Sequence, residues 1–283
     1  MEDEEYHRTK RWSSSIFKKH LIEHPIRAIQ ELNKTEEDRE DDEKKKALRT
    51  GKIFHMLLLE PEKFDQLATV APKLDRRKTE DKAKWAAFQS SIPPGGFLLD
   101  QEELEQFKAM RAACDSQPFW HPSVKANFGY VYEVPGFAMY NGNLPLKIKP
   151  DVRSTACPLM LDLKSCDDVL DFPSGIDNHN YMVQAAYYCI VAELIDGSPH
   201  FDWRWLAVSK RAPFEAVEWR APISGDCGLI AWKHFLRMEM DELSKRIADK
   251  DFPKFPAVLE YEPKPYMNPE RQITGGFRPW QTK

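Results

Sequence analysis

The chain has few of the signals that mark specialised protein classes. Its five cysteines, Cys114, Cys157, Cys166, Cys189 and Cys227, are odd in number and include no C-x-x-C pair, which argues against a disulfide framework and a zinc ribbon. No apolar run approaches a bilayer-spanning length, and the opening MEDEEYHRTKR is charged and has no apolar stretch of the secretory kind. A soluble protein of the cytoplasm, prokaryotic or phage-type, is expected. Glycine is sparse at 12 residues and builds no phosphate-cradling loop, and no internal repeat is evident. Net positive charge is also missing: 41 Lys and Arg against 45 Asp and Glu give -4, which disfavours nucleic-acid binding unless the bases cluster.

The charge is unevenly spread. EEDREDDE, residues 36 to 43, holds seven acids and one arginine and reads as a solvated linker. Lys147 and Lys149 stand beside Asp151, and Arg76, Arg77 and Lys78 form a second basic group. At 283 residues and 42% hydrophobic content, one core with terminal extensions is expected.

The most informative feature is Pro150-Asp151 followed by Asp162-Leu163-Lys164. In LPLKIKPDVR, residues 144 to 153, Leu146 and Ile148 alternate with Lys147, Lys149 and Asp151, a strand pattern. In PLMLDLKS, Asp162 and Lys164 share one face of a second strand. A hairpin symmetric about the Ala156-Cys157 bond makes Asp151 and Asp162 cross-strand neighbours. Two carboxylates so placed repel, and a hard divalent ion such as Mg2+, with Mn2+ as a substitute, relieves that repulsion. Phosphodiester hydrolysis needs an activated water and positive charge against the developing phosphorane oxygens, and a metal on two carboxylates supplies both. Lys164 is placed to orient the water or neutralise the phosphate.

Two helices add to this set. Residues 44 to 59 put Leu48, Gly51, His55, Leu58 and Leu59 on one apolar face, so His55 points inward, where its imidazole needs a partner. Residues 179 to 195, HNYMVQAAYYCIVAELI, align Tyr181, Gln184 and Tyr188 on one face, an amide and two phenols where aliphatics are usual.

GKIFHMLLLEP, KPDVR, DLKS and YMVQAAYY, in that order, resemble the motifs of the PD-(D/E)XK nuclease superfamily, and are most similar to RecE-type exonucleases. The resemblance covers roughly residues 12 to 245, including SSSIFKKHLIEHP as the first helix. It implies an α/β fold, a restriction-endonuclease-like core with a mixed central β-sheet flanked by helices. It also implies metal binding by His55, Asp151, Asp162 and the Leu163 carbonyl, with Lys164 assisting the water. Gln184 and Tyr188 match a Q-x-x-x-Y helix implicated in holding the DNA backbone near the metals, and Tyr181, on the same helical face, is expected to support them. Glu133, in GYVYEVPGFAMY, stands where relatives often carry an acid and ranks below the other four. Lys147 and Lys149 are expected to support DNA binding. The cysteine pattern differs from relatives that carry an iron-sulfur cluster on four cysteines.

The expected organisation is one nuclease domain: an N-terminal helix over 12–33, a charged linker over 34–46, the core over 47–250, and a proline-rich tail over 251–283 that wraps the domain or reaches a neighbouring subunit. HFDWRWLAVSK and FEAVEWRAP read as a strand pair with Trp203, Trp205 and Trp219 in the core, and a helix from Leu229 carries Trp232, Phe235, Leu236, Leu243 and Ile247. By resemblance the activity is digestion of duplex DNA from a 5′ end, leaving 3′ single strands for recombination or strand annealing. The implied assembly is a homo-oligomer, a ring, working beside a single-strand annealing protein. An endonuclease or single-strand-specific nuclease on the same core remains open, as does an inactive DNA-binding accessory protein.

Overall fold

The computed structural model describes residues 6, 8–23, 25–34, 46–74 and 77–252. Ser13 starts α1 (Ser14–Ile22) by accepting a bond from the Ile16 amide at 3.4 Å, a serine N-cap. The single helix expected over 12–33 is two, because α2 (Pro25–Leu32) begins afresh at a proline. Proline disfavours helical backbone in the residue before it and suits a first turn. Next come α3 (Lys46–Leu59), α4 (Pro61–Leu67), β1 (Ala68–Val70), α5 (Thr79–Gln89), β2 (Phe97–Leu99) and α6 (Gln101–Asp115). A capping box starts α6, with Asp100 accepting from the Glu103 amide and Glu103 from the Asp100 amide.

A 3-10 turn (Pro118–Trp120) and α7 (Pro122–Asn127) lead into β3 (Tyr130–Tyr132), β4 (Gly136–Tyr140), β5 (Leu144–Ile148), β6 (Val152–Ser154) and β7 (Leu159–Cys166). Then follow α8 (Phe172–Asn178), α9 (Tyr181–Asp196), β8 (Asp202–Ser209), β9 (Ala216–Arg220) and α10 (Leu229–Asp249).

Five strands form a mixed sheet in the order β3-β6-β7-β8-β9, with β7 and β8 parallel and the other pairs antiparallel. The passage from β7 to β8 through α8 and α9 is the crossover a parallel pair requires. Strands β4 and β5 form a separate antiparallel ribbon, and β1 pairs with β2. The continuous strand expected over 144–153 is therefore divided between two sheets. Pro150 is the reason, since it has no N–H for a ladder bond. The hairpin register does match the symmetric reading: Val152 faces Leu161 and Arg153 faces Met160. Continued by one residue, it sets Asp151 opposite Asp162.

Side chains alternate across the sheet and bury two apolar layers. Met160, Trp203, Trp205 and Ala207 pack with α1, α9 and α10; Leu161, Leu163, Leu206 and Val208 pack with α3 and α6. Trp203 and Trp205 are buried core residues and Trp219 packs against them half-buried, as do Trp232, Phe235 and Ile247 of α10. No helix among the described residues is long and apolar enough to cross a membrane. The linker over residues 35–45, Arg76, the side chain of Leu48 and the tail from 253 lie outside the described residues.

Candidate metal centre

Strand β6 pairs with β7 only through Leu161, so the backbone of β7 beyond Asp162 has no strand partner on that side. The site occupies this notch, and its side chains do what a strand would have done. The Leu163 amide donates to Asp151 Oδ2 at 2.7 Å, and the Leu163 carbonyl lies 3.1 Å from His55 Nε2. The second His55 nitrogen, Nδ1, is 3.6 Å from Asp151 Oδ1. A neutral imidazole carries one N–H. It can therefore donate to the Leu163 carbonyl or to Asp151, and whichever it leaves faces a ring lone pair, acceptor against acceptor. A cation in the notch removes that conflict.

Glu133 completes the cluster. Donor atoms of His55, Glu133 and Asp151 all lie within 4.8 Å of one another. Glu133 follows β3 with a φ of 50°, a left-handed conformation that costs a non-glycine residue of order 1 kcal/mol and is often kept where it aims a functional group. Its amide donates to the Asp151 carbonyl at 3.1 Å, and its carboxylate pairs with Lys149 at 3.1 Å. The lowest-ranked acid of the sequence thus sits with His55 and Asp151. Its signal was faint because no periodicity points to it.

Asp162 points from β7 toward Gln184 of α9 and is buried. Its Oδ1 accepts from Gln184 Nε2 at 3.0 Å, and its Oδ2 is 2.5 Å from Lys164 Nζ. Oδ2 is buried, and the Lys164 ammonium is its charge partner. Burial pushes the Asp162 carboxyl up to about 6, with Asp151 adding to the rise and Lys164 opposing it. Burial works against the Lys164 charge as well, but Asp162 and Asp151 outweigh it and raise its pKa. Its ammonium also lies 5.0 Å from the centre of the Tyr181 ring.

These donors fit a hard divalent ion: three carboxylates, a backbone carbonyl and an imidazole.

The helix residues act on the protein itself. Gln184 holds Asp162, and the buried Tyr188 donates to the Lys149 carbonyl at 3.3 Å. Lys147 corrects the sequence reading. It is buried, and its ammonium donates to the carbonyls of Tyr6 and Thr9 at 2.9 and 3.0 Å, so it fastens the N-terminal segment instead of standing exposed at the surface. Strand alternation could not show this, because the partners are far away in the chain. Sequence reasoning also passed over Lys18, near enough to Lys164 for the second charge to lower its pKa.

The family model for the PDDEXK-like domain of unknown function (DUF3799) matches residues 13–249. No curated protein matches the chain. Among solved structures, the chain is similar to the crystal structure of a candidate exonuclease from Eubacterium rectale, with 16% identity, a TM-score of 0.58, and 96% of this chain and 99% of that one covered. At that identity the likeness speaks to the fold.

Proposed function

The chain belongs to the PDDEXK-like domain family, and on that premise we propose that it is a Mg2+-dependent deoxyribonuclease of the RecE exonuclease type. The observation that carries the reading is the convergence of His55, Glu133 and Asp151 donor atoms within 4.8 Å, with the Asp162–Lys164 pair on the adjoining strand. His55, Glu133, Asp151, Asp162 and the Leu163 carbonyl would hold the ion. A divalent cation held there would lower the pKa of a bound water and would stabilise negative charge on the phosphoryl oxygens. Mn2+ substitutes for Mg2+, whereas Ca2+ supports binding with little turnover because its looser coordination places the water poorly.

The chain's own groups provide the rest. Lys164 presents its ammonium beside the acids, where it orients the attacking water and offsets charge building on the phosphate. Gln184 fixes the rotamer of Asp162, and the Leu163 amide fixes Asp151, so both carboxylates are positioned before substrate arrives.

The finer reading is digestion of linear duplex from a 5′ end, leaving a 3′ single strand for recombination, by a ring-shaped homo-oligomer working with an annealing protein. Its support is the motif resemblance and the description of the Eubacterium rectale protein as a candidate exonuclease. Duplex labelled separately at each end, supercoiled circles and light scattering test it. Label released from 5′ ends alone by an oligomer is the expected result. Rapid nicking of circles, or equal digestion by a monomer, would overturn it.

A further inference from the structure

We propose that Lys18 holds a DNA phosphate adjacent to the scissile one, so that the strand is gripped from the first helix as well as from the catalytic strand. The inference rests on the nuclease reading above and adds a substrate contact to it.

Helix α1 is anchored through Ile16, Phe17, His20 and Leu21, all buried, which leaves Lys18 half-buried on the side toward α9. Its Nζ donates to the His179 carbonyl at 3.1 Å. Two residues further on stands Tyr181, the ring beneath the Lys164 ammonium. The exposed His179 ring stacks on Tyr181 with centroids 5.4 Å apart. Lys18, His179, Tyr181 and Lys164 therefore line one lip of the metal centre.

The charges on that lip are unbalanced. Lys19 next door is paired with Glu31, and Lys164 is paired with Asp162. Among the described residues no carboxylate pairs with Lys18; its hydrogen bond to a backbone carbonyl uses one of three N–H donors. Burial and the nearby Lys164 charge both work against its protonation. Lys18 thus brings a second ammonium to the lip without a carboxylate of its own, and a phosphate beside it would supply that counter-charge. At a phosphodiester-cleaving site the anion available on either side of the scissile bond is the next phosphate of the strand. A lysine that merely tied α1 to the α8–α9 junction would need the carbonyl alone.

The test is equilibrium binding of a short DNA duplex to the full chain in Ca2+, over a range of salt, for wild type, Lys18→Met and Lys18→Arg. Lys18→Met is expected to weaken binding several-fold and to make the slope of log affinity against log salt shallower by about one, as loss of one phosphate contact does. Lys18→Arg is expected to keep the wild-type slope. A duplex with a neutral methylphosphonate at the linkage beside the scissile bond should bind wild type more weakly and cost Lys18→Met nothing further. That second readout uses wild type, so it stands even if a variant folds poorly. An unchanged slope in folded Lys18→Met, or the same methylphosphonate penalty in both proteins, overturns the proposal while wild-type cleavage in Mg2+ keeps the nuclease reading. A wild type that neither binds nor cleaves DNA overturns both.

Discussion

The open edge of β7 and its α9 face meet the same problem, a concentration of acid, with different solutions. On the β6 side, donor atoms of His55, Glu133 and Asp151 lie within 4.8 Å of one another, with the Leu163 amide bonded to Asp151 and Lys149 paired with Glu133. On the α9 side, Asp162 is compensated by Lys164 and Gln184. One side gathers an imidazole and two carboxylates, and the other already contains an ammonium. On the α9 side Lys164 opposes the rise that burial imposes on the Asp162 carboxyl, so the acid and the lysine of that strand act on each other.

The strongest way to break this arrangement is to remove the self-compensated pair. Asp162→Asn and Lys164→Ala should each lower the cleavage rate by about 10²–10⁴-fold with the far-ultraviolet dichroism unchanged. Near-normal rates in either folded variant would remove that residue from the chemistry.

Loss of a donor on the open edge should show first in the ion. His55→Ala and Glu133→Gln are expected to raise the Mg2+ concentration for half-maximal activity by about 10- to 100-fold, measured by titrating the metal at saturating DNA. Unchanged metal dependence would return either residue to a structural role.

A smaller effect follows from the protons. The Asp162 carboxyl is raised to about 6 by burial, so below that pH it is neutral and above it charged. Metal requires the charged form. Apparent Mg2+ affinity should be flat above about pH 6 and fall by about tenfold per unit below it, read from metal-induced shifts in melting temperature. A flat profile down to pH 5 would contradict the buried-acid account.

Lys147 offers a contrast without chemistry. Replacing it by methionine removes two charge-assisted bonds to Tyr6 and Thr9 and should cost about 2 kcal/mol of stability, while the rate per folded molecule stays at the wild-type value. A loss of DNA affinity without loss of stability would restore the sequence reading of Lys147.

What the sequence made legible was local. Hairpin register followed from symmetry about Ala156-Cys157, and the Gln184 helix from its spacing, because both depend on neighbours in the chain. The break at Pro150 was passed over in the strand pattern of 144–153, although a proline inside a strand run signals a bend. Lys147 and Lys18 were not legible, because burial of one and the lip position of the other come from the N-terminal segment folding back across the ribbon and α9. Glu133 lay between these cases: its position was visible, but its aim depends on a left-handed backbone that no periodicity announces.

The most direct test of the notch as a metal-dependent nuclease centre is the initial rate of nucleotide release from linear duplex as Mg2+ is titrated, with folded Asp151→Asn run beside wild type. The account predicts release by wild type that saturates with Mg2+ and vanishes in chelator, and a rate at least about 10³-fold lower for Asp151→Asn. Equal release by the two proteins, or release that persists without metal, would contradict it.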